Sequence, residues 1–89
     1  MPKETVDVIN ALGLHLRASS KLSQLATRYP CDVWLARNNK RINAKSVLGV
    51  TMLAAGKGTQ VEIETIGEQA DEALAALKAL FASRFGEDQ

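Results

Sequence analysis

The sequence contains one histidine, His15, and an arginine, Arg17, stands two residues beyond it. A neutral imidazole is nucleophilic near neutral pH, and a nearby guanidinium can meet the charge of an anion that the ring takes up. Gly13 precedes the pair where the chain leaves a strand-like run, and an apolar-periodic segment opens at Leu16. The spacing therefore puts the imidazole at a helix N-terminus. There, unpaired backbone N–H groups and the positive end of the macrodipole favour an anion and disfavour a protonated ring. On composition alone such a histidine is more often a cap or a surface residue than a reactive group. Its position shifts the odds towards an anion site, and a phosphoryl group would suit it, since phosphoryl transfer asks the protein mainly for positioning and charge stabilisation. The Leu16 and Arg17 N–H groups and the Arg17 side chain are then the phosphate-binding set. The spacing leaves open which ring nitrogen reacts. Hydrolytic catalysis is not expected, because no carboxylate lies close in sequence to orient the ring and there is no second histidine.

The elements that must hold these residues follow from the hydrophobic period. Thr5–Ile9 alternates, with Val6 and Val8 on one face, as in a half-buried strand. Asn10–Leu14 is the connection. Leu22, Leu25, Ala26 and Tyr29 then recur at helical spacing, with Arg28 in the last turn and Pro30 ending the helix. Asp32–Arg37 reads as a strand with Val33 and Leu35 inward and Trp34 on the opposite face, where a cross-strand contact is expected. Asn38-Asn39 suits a tight hairpin into a strand over Lys40–Ala44. Ser46 is a natural N-cap for a short helix over Val47–Ala55, which contains the poor helix former Gly49. Gln60–Thr65 alternates most clearly. A long helix is expected over Asp71–Arg84 with Ala70, Leu74, Leu77 and Phe81 inward, then Gly86 as C-cap and a fraying end over Gly86–Gln89.

The order is βαββαβα. One-sided strands need one layer of cover, which gives an α+β open-faced β-sandwich: a four-stranded antiparallel sheet covered on one face by three helices, in a single domain over residues 1–89. With 46% hydrophobic residues and a net charge of +1, the chain is neither disordered nor basic enough to argue for nucleic acid. One cysteine, Cys31, excludes an internal disulfide and reads as a small packing residue. One Cys and one His are too few for a structural zinc site, so no metal is expected. The absence of an apolar signal core in Met1–Thr5 and of a run long enough to span a bilayer leads us to expect a cytoplasmic monomer with no membrane insertion.

Gly13-Leu14-His15-Leu16-Arg17 resembles the phosphorylation signature of the HPr family, the histidine phosphocarriers of the bacterial sugar phosphotransferase system. Asn43-Ala44-Lys45-Ser46-Val47-Leu48-Gly49-Val50 is similar to the family's second signature, and the resemblance covers almost the whole chain. It implies that enzyme I, charged by phosphoenolpyruvate, phosphorylates His15 at Nδ1, that Arg17 is the electrostatic partner, and that enzyme IIA domains receive the group, with no bound cofactor. The protein would be a carrier rather than an enzyme. Most members have proline after the arginine; this chain has Ala18, which preserves the helix but makes the turn less rigid. A similarity of Gly67–Phe85 to the nitrogen-related NPr branch offers an alternative, in which phosphorylation signals rather than drives sugar uptake. An RNA-binding sheet domain is the remote third reading. The element order departs from that of RNA-recognition domains, and Trp34 is the lone aromatic on the sheet.

Two further sites are expected. Ser46 is at least an N-cap, and the resemblance implies phosphorylation there by an HPr kinase/phosphorylase. Val50 and Leu53 suffice for the core stripe of the short helix. Leu48 and Met52, one turn apart on another face, are expected to join Leu16 in an exposed apolar patch beside His15. Ser20, Lys21 and Val47 complete this partner surface, and Arg17, Lys21 and Lys45 give it a basic rim.

Overall fold

Alternation along the two central strands sets the architecture. A computed structural model describes residues 3–87. The sheet has the order β1-β4-β2-β3, with β1 over Lys3–Asp7, β2 over Asp32–Arg37, β3 over Lys40–Asn43 and β4 over Gln60–Ile66, and every pairing is antiparallel. Val33 and Leu35 of β2 and Val61 and Ile63 of β4 are buried. Fully burying such a side chain contributes about 1.5–3 kcal/mol. Thr65 continues the buried row of β4, and its hydroxyl is satisfied by donating to the Ala70 carbonyl at 2.7 Å.

Helices α1 (Leu16–Thr27), α2 (Val47–Met52) and α3 (Ala70–Ala82) cover one face. The expected open-faced sandwich and its βαββαβα order are therefore observed, with a short 3₁₀ turn over Arg84–Gly86 added at the end. Leu22 and Ala26 of α1, Val50 of α2 with Leu53 just beyond it, and Leu77 and Phe81 of α3 meet the sheet in one core. On the open face Trp34 stands across from Asn43 and Glu64, and the Arg41 guanidinium lies 4.1 Å from its ring centroid while also pairing with Glu64 at 3.0 Å. Asn38 and Asn39 adopt φ of 50° and 67°, as a two-residue hairpin with both central residues left-handed requires.

Several boundaries differ from expectation. β1 lies two residues early, because Val8 exchanges backbone hydrogen bonds with Gly58 and Thr59, beyond the last ladder pair of Asp7 with Gln60. Helix α1 stops at Thr27, with Arg28 as its cap. Helix α2 stops at Met52, where Ala54 turns left-handed at φ 54°. At α3, Ala73 joins the buried stripe while Leu74 is half-buried, and the helix ends at Ala82 because Arg84 and Phe85 take φ of 57° and 55°. The end does not fray at Gly86 and Glu87. Phe85 is fully buried edge-on to Phe81, with ring centroids 4.9 Å apart, and this bend carries Glu87 back across the molecule. Gly86 closes the 3₁₀ turn instead of capping α3; residues 88 and 89 lie outside the described region. Among the described residues, no helix is long and apolar enough to cross a membrane.

Candidate functional site

The site is built on a turn that only glycine can complete. Gly13 has φ of 65°, and a Cβ there would lie 2.4 Å from the Ala55 carbonyl oxygen. That close approach lets the next residue, Leu14, donate its N–H to the same oxygen at 2.8 Å. Asn10, fully buried, closes the turn through its side-chain amide, which donates to the Gly13 carbonyl at 2.8 Å. The turn is thus pinned to the connection between α2 and β4, and it delivers His15 to the N-cap of α1 with extended backbone, φ −74° and ψ 177°.

His15 is itself the cap. Its Nδ1 accepts the Arg17 backbone N–H at 3.3 Å, one of the donors that a helix start leaves unpaired. Its Nε2 hydrogen-bonds the Glu87 carboxylate, which comes from the far end of the chain. A carboxylate can only accept, so Nε2 carries the proton; Nδ1 faces a donor, so it carries the lone pair. The two partners together define the neutral Nε2–H tautomer, with the electron pair of Nδ1 turned to the helix start. The ring is 25% exposed and the Glu87 side chain 14%. Glu87 is gripped a second time by the Asn10 amide at 3.0 Å. Its carboxyl is held below the ordinary 4.5 by the hydrogen bonds from His15 and Asn10, in that order of weight, with the nearby Arg17 charge adding to the effect and burial opposing it.

Arg17 is exposed beside the ring. A groove runs along this end of α1 past Leu12, His15, Leu16, Arg17, Ser20 and Lys21. The expected patch residues Leu16, Leu48 and Met52 are 69%, 70% and 62% exposed, on helices that pack against one another, while Ser20 and Val47 are half-buried. Lys21 reaches back to the Phe85 carbonyl at 2.6 Å. Lys45 does not extend a basic rim around His15, because its ammonium is bound to the Tyr29 carbonyl at the opposite end of α1. Ser46 caps α2 as expected, accepting the Gly49 N–H at 3.1 Å. Space does not require Gly49: a Cβ there would meet Ile42 Cβ and Ser46 Oγ at 3.4 Å, an ordinary van der Waals contact. Ala18 is buried in the first turn of α1, which forms without the proline.

Sequence reasoning missed three residues here. Leu12 is 71% exposed at the mouth of the groove and belongs with the apolar patch; its position in a loop hid it from periodicity. Asn10 read only as the first residue of a connection. Glu87 gave no local signal at all, standing 72 residues from His15. No carboxylate lies close to the ring in sequence, but the fold brings this one to it.

The arrangement offers a fixed nucleophilic nitrogen, helix-start N–H groups and a cation at one exposed point. Residues 2–83 match the PTS-HPr family model, described as the PTS HPr component phosphorylation site. The chain is 49% identical over 89 residues to the phosphocarrier protein HPr of Cupriavidus necator, covering 100% of both. It is 44% identical over 88 residues to the phosphocarrier protein NPr of Escherichia coli K12, covering 97% of both. Among solved structures, HPr-C-His from Thermoanaerobacter tengcongensis superposes with a TM-score of 0.96 at 34% identity over 100% of both chains.

Proposed function

The chain belongs to the HPr family of phosphocarrier proteins, and we propose that His15 Nδ1 takes a phosphoryl group from phospho-enzyme I and passes it to enzyme IIA domains. The observation that carries this is the ring's double hydrogen bonding, which leaves the Nδ1 lone pair at the mouth of a helix N-terminus. In the forward step the Nδ1 pair forms a bond to phosphorus as the donor's bond breaks and its electrons leave with the donor. The Arg17 N–H, until then on Nδ1, turns to a phosphate oxygen, joined by the Leu16 N–H and the Arg17 guanidinium. The chain works as a cytoplasmic monomer of one domain, a carrier and not a catalyst. Partners dock on the patch of Leu16, Ser20, Lys21, Val47, Leu48 and Met52, where apolar surface and an adaptable methionine suit several of them in turn. Ser46 serves a second, regulatory phosphorylation, and its charge would act on partners approaching the patch.

Incubation with enzyme I and phosphoenolpyruvate tests the reading. The wild type should gain one acid-labile phosphate, His15→Ala none, and Ser46→Ala one. Phosphate on the His15→Ala variant overturns the assignment.

The similarity to the Escherichia coli NPr supports a second reading, a nitrogen-related regulator whose phosphorylation state is the signal. Lys45-Ser46 favours the sugar-type branch. Comparing how fast sugar-type and nitrogen-type enzyme I charge the chain decides between them.

A further inference from the structure

We infer that Glu87 is a positioning residue for phosphoryl transfer, holding the proton on His15 Nε2 throughout so that Nδ1 attacks as a lone pair and departs as part of a neutral imidazole. The inference rests on the proposed carrier reading and adds to it a residue from outside both sequence signatures.

The geometry is built rather than incidental. The segment that carries Glu87 bends through two left-handed residues, Arg84 and Phe85. It is anchored by the fully buried Phe85 ring and by the Lys21 ammonium on the Phe85 carbonyl at 2.6 Å. Backbone bonds from Gly86 to Ser83 at 3.1 Å and from Glu87 to Arg84 at 3.0 Å fix the last turn. One carboxylate oxygen then takes Nε2–H, and the other takes the amide of Asn10, the residue that also closes the glycine turn before His15. The same buried side chain thus sets both the histidine's backbone and its carboxylate.

The chemistry needs such a partner. When Nδ1 bonds to phosphorus and Nε2 keeps its proton, the ring acquires a positive charge, which the Glu87 carboxylate meets directly. In onward transfer the N–P bond breaks, its electron pair returns to Nδ1, and the ring leaves as the neutral Nε2–H imidazole. Had Nε2 lost its proton, the leaving group would be an imidazolide anion, a far poorer one. A carboxylate that fixes tautomer and orientation without itself taking up a proton has the same logic as the acid of a hydrolytic triad, applied here to a carrier.

The test uses Glu87→Ala and Glu87→Gln in the full chain, with circular dichroism confirming the fold. Nitrogen-15 NMR of the unphosphorylated protein reads the His15 tautomer with no donor present. The wild type should be Nε2–H; Glu87→Ala should populate the Nδ1–H form; Glu87→Gln, whose amide oxygen still accepts, should keep Nε2–H. Transfer from phospho-His15 to a IIA domain should fall about tenfold or more in Glu87→Ala, in kcat rather than KM, with Glu87→Gln between it and the wild type. An unchanged tautomer in Glu87→Ala, or an unchanged transfer rate, overturns the inference. If wild type and His15→Ala are equally inert to phospho-enzyme I, the carrier reading fails instead, and the tautomer measurement still judges the role of Glu87 by itself.

Discussion

The Ala55 carbonyl oxygen occupies the place where a side chain on Gly13 would be, 2.4 Å from an ideal Cβ. The turn before His15 and the connection after α2 are therefore locked together by the lack of one methyl group. Gly13→Ala must either break the Leu14–Ala55 hydrogen bond or push the two segments apart, and it must do so at a positive φ. We expect a loss of more than about 1 kcal/mol in urea unfolding. Charging by enzyme I should slow beyond what the folded fraction explains, because the histidine moves with the turn. A urea midpoint equal to that of the wild type would contradict the account.

That lock also shows what the sequence made legible. Gly13, His15 and the start of α1 were readable because a strand, a turn and a helix follow one another within a few residues, and each leaves a local signature. The hairpin at Asn38-Asn39 and the cap at Ser46 were readable for the same reason. The reason Gly13 must be glycine was not, since Ala55 is far along the chain. Glu87 was misread as part of a loose end, because nothing local to Phe85 shows that Phe81 receives its ring edge-on. Lys45 was placed on the wrong rim because a lysine's reach hides which carbonyl it will find. Local periodicity carries elements and caps; it does not carry contacts made once the layers have closed.

Acid should loosen the site before it unfolds the domain. The Glu87 carboxyl is held below its ordinary 4.5, first by the hydrogen bond from His15 and then by that from Asn10, with the Arg17 charge contributing. A carboxylate lowered in the folded state contributes stability that is fully present above its unfolded value and is lost as pH falls through the lowered folded value. The melting temperatures of wild type and Glu87→Gln should therefore differ at pH 7 and converge as the pH drops below 4.5. The carboxyl carbon-13 resonance of Glu87 should titrate below that value. A difference that stays constant down to that range would show that the contact contributes nothing through its charge.

Ser46 separates capping from regulation. Its hydroxyl oxygen accepts the Gly49 N–H at 3.1 Å, so Ser46→Ala should cost about 1 kcal/mol of stability. Ser46→Asp keeps an acceptor and suits the helix start, so thermal unfolding should stay close to that of the wild type. If a negative charge here acts on partners, Ser46→Asp should nonetheless be charged more slowly by enzyme I, with the loss in KM. Ser46→Asp that charges at the wild-type rate would confine the residue to its structural role.

The apolar patch makes the last demand. Leu12, Leu16, Leu48 and Met52 are each more than 60% exposed on a protein whose other large apolar residues are mostly buried. Leaving them in water gains the free domain nothing, and removing them costs it little. Leu12→Gln and Leu48→Gln should each change stability by no more than about 0.5 kcal/mol. A surface that partners desolvate behaves differently. Truncating an anchor at the centre of such a surface commonly costs more than about 1 kcal/mol of binding, which corresponds to about fivefold in affinity. Each variant should therefore raise KM for enzyme I several-fold while leaving kcat in place, because neither side chain hydrogen-bonds the imidazole. The two should differ by partner: Leu12 lines the groove with His15 and Arg17, whereas Leu48 stands on α2 beside the Ser46 cap. A partner sensitive to a negative charge placed at Ser46 should be the more sensitive to Leu48. If both variants charge and discharge with unaltered KM for every partner tried, the patch is not where they dock.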